Sequence, residues 1–241
     1  MDLNDFESLY RKIFISNGLD RFCNPTLIEQ FYSFTGIFLE ANQHLNLTAI
    51  RDVPNVIAKH YVDCLLAEPY FPTGATVLDV GCGGGFPTFP LAIARPDLKI
   101  TALDSTLKKI NFVNSTAQSL GLHNVHGICA RAEDTEMRKY RESFDVVTSR
   151  AVANLRILTE ITLPFVKPGG QMIALKGSKG KEELEEAQKS IELLGGRASA
   201  LHEMSLQVGY AESRCLILIS KMKRTTEQYP RQYSAIVKKP L

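Results

Sequence analysis

Leu78-Asp79-Val80-Gly81-Cys82-Gly83-Gly84-Gly85-Phe86-Pro87 joins a short apolar run, Thr76–Val80, to a helical stretch reaching about Arg95. Glycines at 81, 83 and 85 permit a tight turn and let a ligand lie against bare backbone. Pro87 suits the first turn of the helix that follows. Outward from this junction the chain alternates strand and helix. Lys99–Leu103 reads as a second strand. Thr106 to Leu120 reads as a helix with Leu107, Ile110, Val113, Ala117 and Leu120 on one face, stopped by Gly121. Val125–Ala130, Phe144–Ser149 and Gln171–Leu175 are three more strands, with a helix from Asn154 to Leu163 before the last. A helix carrying Leu184, Ala187, Ile191 and Leu194 stops at Gly195-Gly196, and strands near Ala198–Met204 and Arg214–Ser220 are close enough to pair as a hairpin. Repeated strand–helix units imply an α/β fold, a mostly parallel seven-stranded sheet with helices on both faces. Such sheets bind ligands outside the carboxyl ends of their strands, at the switch point.

Residues 1–72 read differently, as an N-terminal helical extension. Asn24-Pro25 is a helix start, and Leu27, Phe31, Phe34, Phe38, Ala41 and Leu45 recur at helical spacing. A shorter helix precedes it, around Phe6 to Ile15, and another runs from Asp52-Val53-Pro54 toward Leu66. Pro69, Pro72 and Gly74 mark the boundary with the ligand-binding domain, 73–220. Residues 221–241 form a basic tail. It holds six Lys/Arg against one Asp/Glu, whereas residues 1–72 hold five against nine. Such a tail suits a polyanionic partner or simple solubility, and charge alone leaves both open. The chain has 241 residues, 44% of them apolar and 22% charged, which excludes wholesale disorder. No apolar run approaches the roughly 20 residues of a membrane span, and the acidic N-terminus is unlike a secretory signal, so a cytoplasmic protein is expected. The five scattered cysteines include no C-x-x-C pair, and His123-x-x-His126 has no Cys or acidic partner at ligand spacing, so neither disulfide nor metal is expected.

Nineteen residues after Gly85, the second strand ends at Asp104. A carboxylate there can accept from both hydroxyls of a ribose. Glycine loop and acid together indicate a nucleoside-containing cofactor; a tight turn plus an N-cap aspartate is the plain alternative. A dinucleotide site spaces its glycines G-x-G-x-x-G. Here Gly85 follows Gly83 by two, and Asp79 beside the loop is a poor neighbour for phosphates. It suits a cationic ligand, and S-adenosylmethionine has a ribose, an ammonium, a sulfonium and no phosphate.

At this point the chain resembles a known family. Asp79-x-Gly81-x-Gly83-x-Gly85 is similar to the cofactor loop of class I S-adenosylmethionine-dependent methyltransferases. Asn46-Leu47-Thr48, His60-x-x-Asp63, Asp79 to Pro87, Leu103-Asp104-Ser105, Arg131 to Asp134, Phe144 to Ala151 and Ala174-Leu175-Lys176-Gly177 resemble the glucose-inhibited division protein B family, as do Tyr229-Pro230-Arg231 and Lys238 to Leu241 in the tail. The resemblance runs from about residue 40 to the C-terminus. It implies a Rossmann-like class I methyltransferase fold and transfer of a methyl group to N7 of a guanine in 16S ribosomal RNA, with S-adenosylhomocysteine as by-product. It implies a cofactor site lined by Gly81, Gly83, Gly85, Phe86, Asp104, Ser105, Thr106, Ala132, Glu133 and Arg150. It also implies a substrate that is small-subunit ribosomal RNA or the assembling subunit, and a monomeric enzyme. The chain departs from the pattern at Cys64, Cys82 and Thr88, and where Ala235-Ile236-Val237 replaces a Gly-x-Pro segment.

The end of the fourth strand bears on the acceptor. Exocyclic-amine methylation goes with an Asn/Asp-Pro-Pro-aromatic motif, and pyrimidine C5 methylation needs a nucleophilic cysteine. Ser149-Arg150-Ala151 has neither, which favours a ring nitrogen or oxygen. Arginine grips guanine O6 or a phosphate through its planar fork. Arg150 is therefore assigned an orienting role, with no general base, and Lys176 a contact with RNA phosphate. Asn46, Arg51 and His60 are assigned substrate contacts; for His60 a core position is equally compatible. A methyltransferase acting on another RNA or a small molecule, a nicotinamide-dependent oxidoreductase and an RNA-binding scaffold are the competing readings.

Overall fold

The computed structural model describes all residues 1–241. Helix α1 spans Leu3–Ser16 and α2 Pro25–Leu45, the latter capped by Asn24, whose side chain accepts from the Leu27 amide at 3.0 Å. The next helical stretch is not uniform. It starts as α3, Val53–Val56, widens into a π-helical segment, Ile57–Val62, and resumes as α4, Asp63–Leu65. Apolar spacing predicts one regular helix here because a widened turn leaves the buried stripe, including Ile57, Tyr61 and Leu65, continuous.

The core domain follows as β1 (Thr76–Val80), α5 (Thr88–Ala94), β2 (Lys99–Asp104), α6 (Leu107–Ser119), β3 (Val125–Cys129), β4 (Phe144–Arg150), α7 (Leu155–Thr162), β5 (Val166–Lys176), α8 (Gly180–Leu193), β6 (Gly196–Gln207) and β7 (Ala211–Lys221). The seven strands lie in the order β3-β2-β1-β4-β5-β7-β6. β1 to β5 are parallel, and β7 runs antiparallel to both its neighbours. Strand order reverses between β1 and β4, which sets the ligand crevice above their carboxyl ends. β5 starts before the expected Gln171 and takes in Pro168-Gly169-Gly170, with a register shift against β4 between Phe144 and Val146. On α6, Leu107 is exposed and Phe112 is buried instead.

Both faces of the sheet are covered, so its strands read as near-continuous apolar runs whose successive residues enter opposite cores. Val77, Val146, Ile173, Leu216 and Leu218 join one core with α5, α6 and the aromatic residues of the N-terminal helices. Leu78, Val147, Met172, Ile217 and Ile219 join the other with α7 and α8. The extension is thus built on Phe6, Tyr10, Phe14, Phe31, Phe34 and Phe38, all packed into the first of these cores. The basic tail is docked rather than free. It ends in α9 (Tyr233–Lys238), buries Tyr229 and Ile236 in the second core, and places Arg231 on Glu160 of α7, a side chain with no exposed surface. Lys221 is buried too, donating to the Leu163 carbonyl and the Thr225 hydroxyl, and burial pushes its pKa down to about 8. No helix is long and apolar enough to cross a membrane.

Candidate active site at the carboxyl edge of the sheet

The turn after β1 is fastened to the end of β2. The amides of Gly81 and Cys82 both donate to the Leu103 carbonyl, at 2.7 and 3.0 Å. The Gly83 amide donates to Asp104 Oδ2 at 3.0 Å, and the Thr106 amide to Oδ1 at 2.9 Å. Two backbone donors therefore fix the Asp104 carboxylate while leaving each oxygen a free lone pair. Lys109 Nζ lies 3.6 Å away. Gly81, Gly83 and Gly85 all have φ between +55° and +85°, which L side chains rarely adopt. They do different work. A Cβ on Gly83 would meet only the Gly81 carbonyl oxygen, 3.9 Å away and without a clash, and Gly83 lies in the floor of the cleft. A Cβ on Gly85 would run into the Phe89 ring, and Gly85 is not a lining residue; it lets α5 close against the loop.

Above the turn opens a cleft of about 600 Å³. Its floor is Gly81 to Gly84 and Phe86; Asp104, Ser105 and Thr106 line one flank, and Ala132 and Glu133 another. Leu47, Thr48 and His60 of the extension, Arg150 to Val152 at the end of β4, and Tyr233 of α9 stand in the walls. Asp79 is fully buried beside the turn, with Oδ2 accepting from Thr88 Oγ1 at 2.6 Å and Oδ1 unpartnered. Desolvation raises its pKa to about 7. The departure at Thr88 thus has a function: its hydroxyl partly solvates this acid. The set fits S-adenosylmethionine. An acid with two oriented oxygens faces the cleft, and the glycine floor admits a ligand against backbone.

Arg150, at the end of β4, points toward the extension. Its Nη1 donates to the Lys59 carbonyl at 3.1 Å and to Asp63 Oδ2 at 3.2 Å. Its Nη2 donates to His60 Nδ1 at 3.1 Å, its guanidinium lies 5.4 Å from the Phe86 ring, and its Nε is buried without a partner. Because guanidinium only donates, Nδ1 of His60 accepts, and the ring proton sits on Nε2, 3.3 Å from Thr48 Oγ1. Burial, then the Arg150 charge, hold the His60 pKa down near 3. The ring stacks on Phe86, with centroids 4.3 Å apart. Arg214 on β7 closes the network through Asp63 Oδ1 at 2.7 Å. Its neighbour Glu212 pairs with Lys59 at 2.6 Å.

Three expectations change. His60 is buried, stacked and neutral, so it braces the cleft wall rather than meeting RNA from a free surface. Lys176, expected on RNA phosphate, is 8% exposed and bound to Glu183 Oε2 at 2.8 Å and to the Ala153 carbonyl, which commits its cation to holding the segment after β4. Gly85 serves packing. Asn46 and Arg51 remain exposed, 3.5 Å apart through Oδ1 and Nη2; Asn46 has φ +50° at the end of α2. Sequence reading misses Arg214 and Tyr233, which carry no local signal, and gives Asp63 no role although it stands in the His60-x-x-Asp63 motif.

Residues 27–214 match the family described as GidB, rRNA small subunit methyltransferase G. A ribosomal RNA small subunit methyltransferase G from Oceanobacillus iheyensis is 46% identical over 216 residues, covering 88% of this chain and 90% of that protein. Among solved structures, the [4+2]-cyclase SpnF aligns over 80% of this chain and 95% of its own, with TM-score 0.55 and 15% identity. A mutant 16S rRNA (adenine(1408)-N(1))-methyltransferase with cosubstrate SAM, from Catenulisporales acidiphilia, aligns over 63% of this chain and 87% of its own, with TM-score 0.51 and 13% identity. These two likenesses concern the fold.

Proposed function

The chain belongs to the rRNA small subunit methyltransferase G family, and on that premise we propose that its cleft binds S-adenosylmethionine and presents it to N7 of a guanine in small-subunit ribosomal RNA. When bound, the cofactor supplies an electrophilic methyl group on its sulfonium. Asp104 would hold the ribose hydroxyls, the backbone of Gly81 to Gly84 would receive the amino-acid end, and Ser105, Thr106, Ala132 and Glu133 would flank the adenine. The observation that carries this reading is the Asp104 carboxylate, oriented by the Gly83 and Thr106 amides toward the cleft.

The protein's own residues supply alignment and exclude water, and they need move no proton. Guanine N7 presents an in-plane lone pair and bears no hydrogen, so in-line displacement requires position above all. His60, neutral across the physiological range, is a wall and not a base. Arg150 ties the helical wall to the sheet beside Phe86, which makes it a positioning residue for the acceptor side. Arg150→Ala is expected to lower methyl transfer about 100-fold, the cost of an ångström-scale misplacement, and, because Arg150 also lines the cleft, to weaken binding of S-adenosylhomocysteine by a smaller factor. Arg150→Lys should not restore activity, because one ammonium cannot span Asp63, the Lys59 carbonyl and His60.

In this reading residues 1–72 form the acceptor-side wall, 73–220 carry the cofactor, and 221–241 brace it. The enzyme works as a monomer in the cytoplasm, where its RNA is made, and Asn46 and Arg51 offer exposed polar contacts to that RNA. The test is transfer of a tritiated methyl group to 16S RNA, naked and within small subunits, from a strain lacking this gene, followed by nucleoside mass analysis. Label recovered as 7-methylguanosine supports the proposal. Label in another nucleoside, or none in either substrate, defeats it.

A further inference from the structure

The second wall of the cleft comes from a segment beyond the residues matched to the family. Tyr233, the first residue of α9, lines the cleft, and its ring lies 5.8 Å from the guanidinium carbon of Arg131. Arg131 precedes Ala132 and Glu133, so Tyr233 stands at the adenine end. The ring is partly exposed, yet the backbone carrying it is fixed. Two residues earlier, Arg231 makes three hydrogen bonds to the buried Glu160 carboxylate, from its amide at 2.9 Å, Nε at 2.8 Å and Nη2 at 2.6 Å. Three residues later, Ile236 is fully buried. Arg156 holds the far side of the segment by donating to the carbonyls of Pro240 and Leu241, at 2.8 and 2.7 Å.

We propose that Tyr233 is a cofactor-binding residue: the C-terminal strap, latched on α7, carries an aromatic face to the adenine of S-adenosylmethionine. This rests on the cofactor reading above. The physics is general. A purine offers a broad π-face, and aromatic side chains that meet it contribute through stacking without demanding a particular hydrogen-bond pattern. A ring on a pre-latched backbone loses little freedom on binding, so the contact is effective even at a cleft mouth. The neighbouring Arg131, whose guanidinium lies over the Tyr233 ring, helps to hold that ring at the cleft by a cation–π contact.

Calorimetric titration of the full chain with S-adenosylhomocysteine gives the reference affinity. Tyr233→Ala is expected to raise Kd about tenfold, the factor that ~1.4 kcal/mol of lost base stacking produces, and Tyr233→Phe to leave it unchanged. Adenosine alone should show the same ratio. The chain contains no tryptophan, so Tyr233→Trp installs a single indole whose emission should quench as S-adenosylhomocysteine is added. An unchanged Kd in Tyr233→Ala, or an indole indifferent to the ligand, overturns the proposal. Failure of the unaltered protein to bind S-adenosylhomocysteine would instead remove the cofactor reading on which it stands, so the two failures are told apart.

Discussion

Asp104 and His60 show how much of the site is decided by what surrounds a single side chain. Asp104 keeps two backbone donors and a cleft-facing position, so Asp104→Asn replaces one acceptor with an amide that cannot accept from the backbone N–H it meets. The loss of a charge-assisted hydrogen bond is worth roughly 1.5–3 kcal/mol. Calorimetry should show S-adenosylhomocysteine binding weakened by at least about tenfold. His60 gives a stability signature. Its folded pKa near 3 lies below the unfolded value of 6.5, so between those values the unfolded chain binds more protons and stability falls as the pH falls. Asp79 works in the opposite direction, because its folded pKa of about 7 exceeds the unfolded 3.8 and its protonation stabilises the folded state as the pH drops. The His60 effect therefore shows as a difference. From pH 6.5 to 5, the unaltered protein should lose about 1.6 kcal/mol relative to His60→Gln, measured by urea unfolding. A parallel pH dependence in the two proteins would contradict the buried neutral ring.

At the scale of elements, the turn between β1 and α5 is where backbone conformation and packing coincide. Gly85→Ala adds a methyl against Phe89 at a left-handed φ of +85°. It is expected to cost about 2 kcal/mol or more and lower Tm by several degrees, with scanning calorimetry as the readout. The strand and helix run of the core domain is legible in the sequence because both faces are buried and glycines and prolines punctuate the elements. Val77 and Leu78, or Ile217 and Leu218, fall into opposite cores as neighbours on a pleat must. The π-helical segment is not legible, since no residue at 57–62 breaks a helix. It nevertheless carries Lys59 and His60 at one level, with Asp63 directly after it, and so positions three groups that Arg150 engages.

For the whole molecule, motif spacing points to the glycine turn and Asp104, which the fold brings to one cleft, but not to the long-range closure. Arg214 reaches Asp63 and Arg231 reaches Glu160 only through tertiary contact, and a count of charges reads both as solvated surface. Removing the second latch should be costly: Arg231→Ala leaves a buried carboxylate without its cation, a loss of about 3 kcal/mol. Adding Glu160→Gln to Arg231→Ala should recover part of it, and urea midpoints of the two variants test the order. The walls around the cleft, Thr48 and His60 on one side and Tyr233 on the other, come from opposite ends of the polypeptide. Contacts so distant in sequence are slow to form and costly in loop-closure entropy. A nucleoside that bridges them adds RT ln(1 + [L]/Kd) to the native state. Its imprint in hydrogen exchange should then appear in two places at once, as slower amide opening around residues 47–60 and again around 229–236.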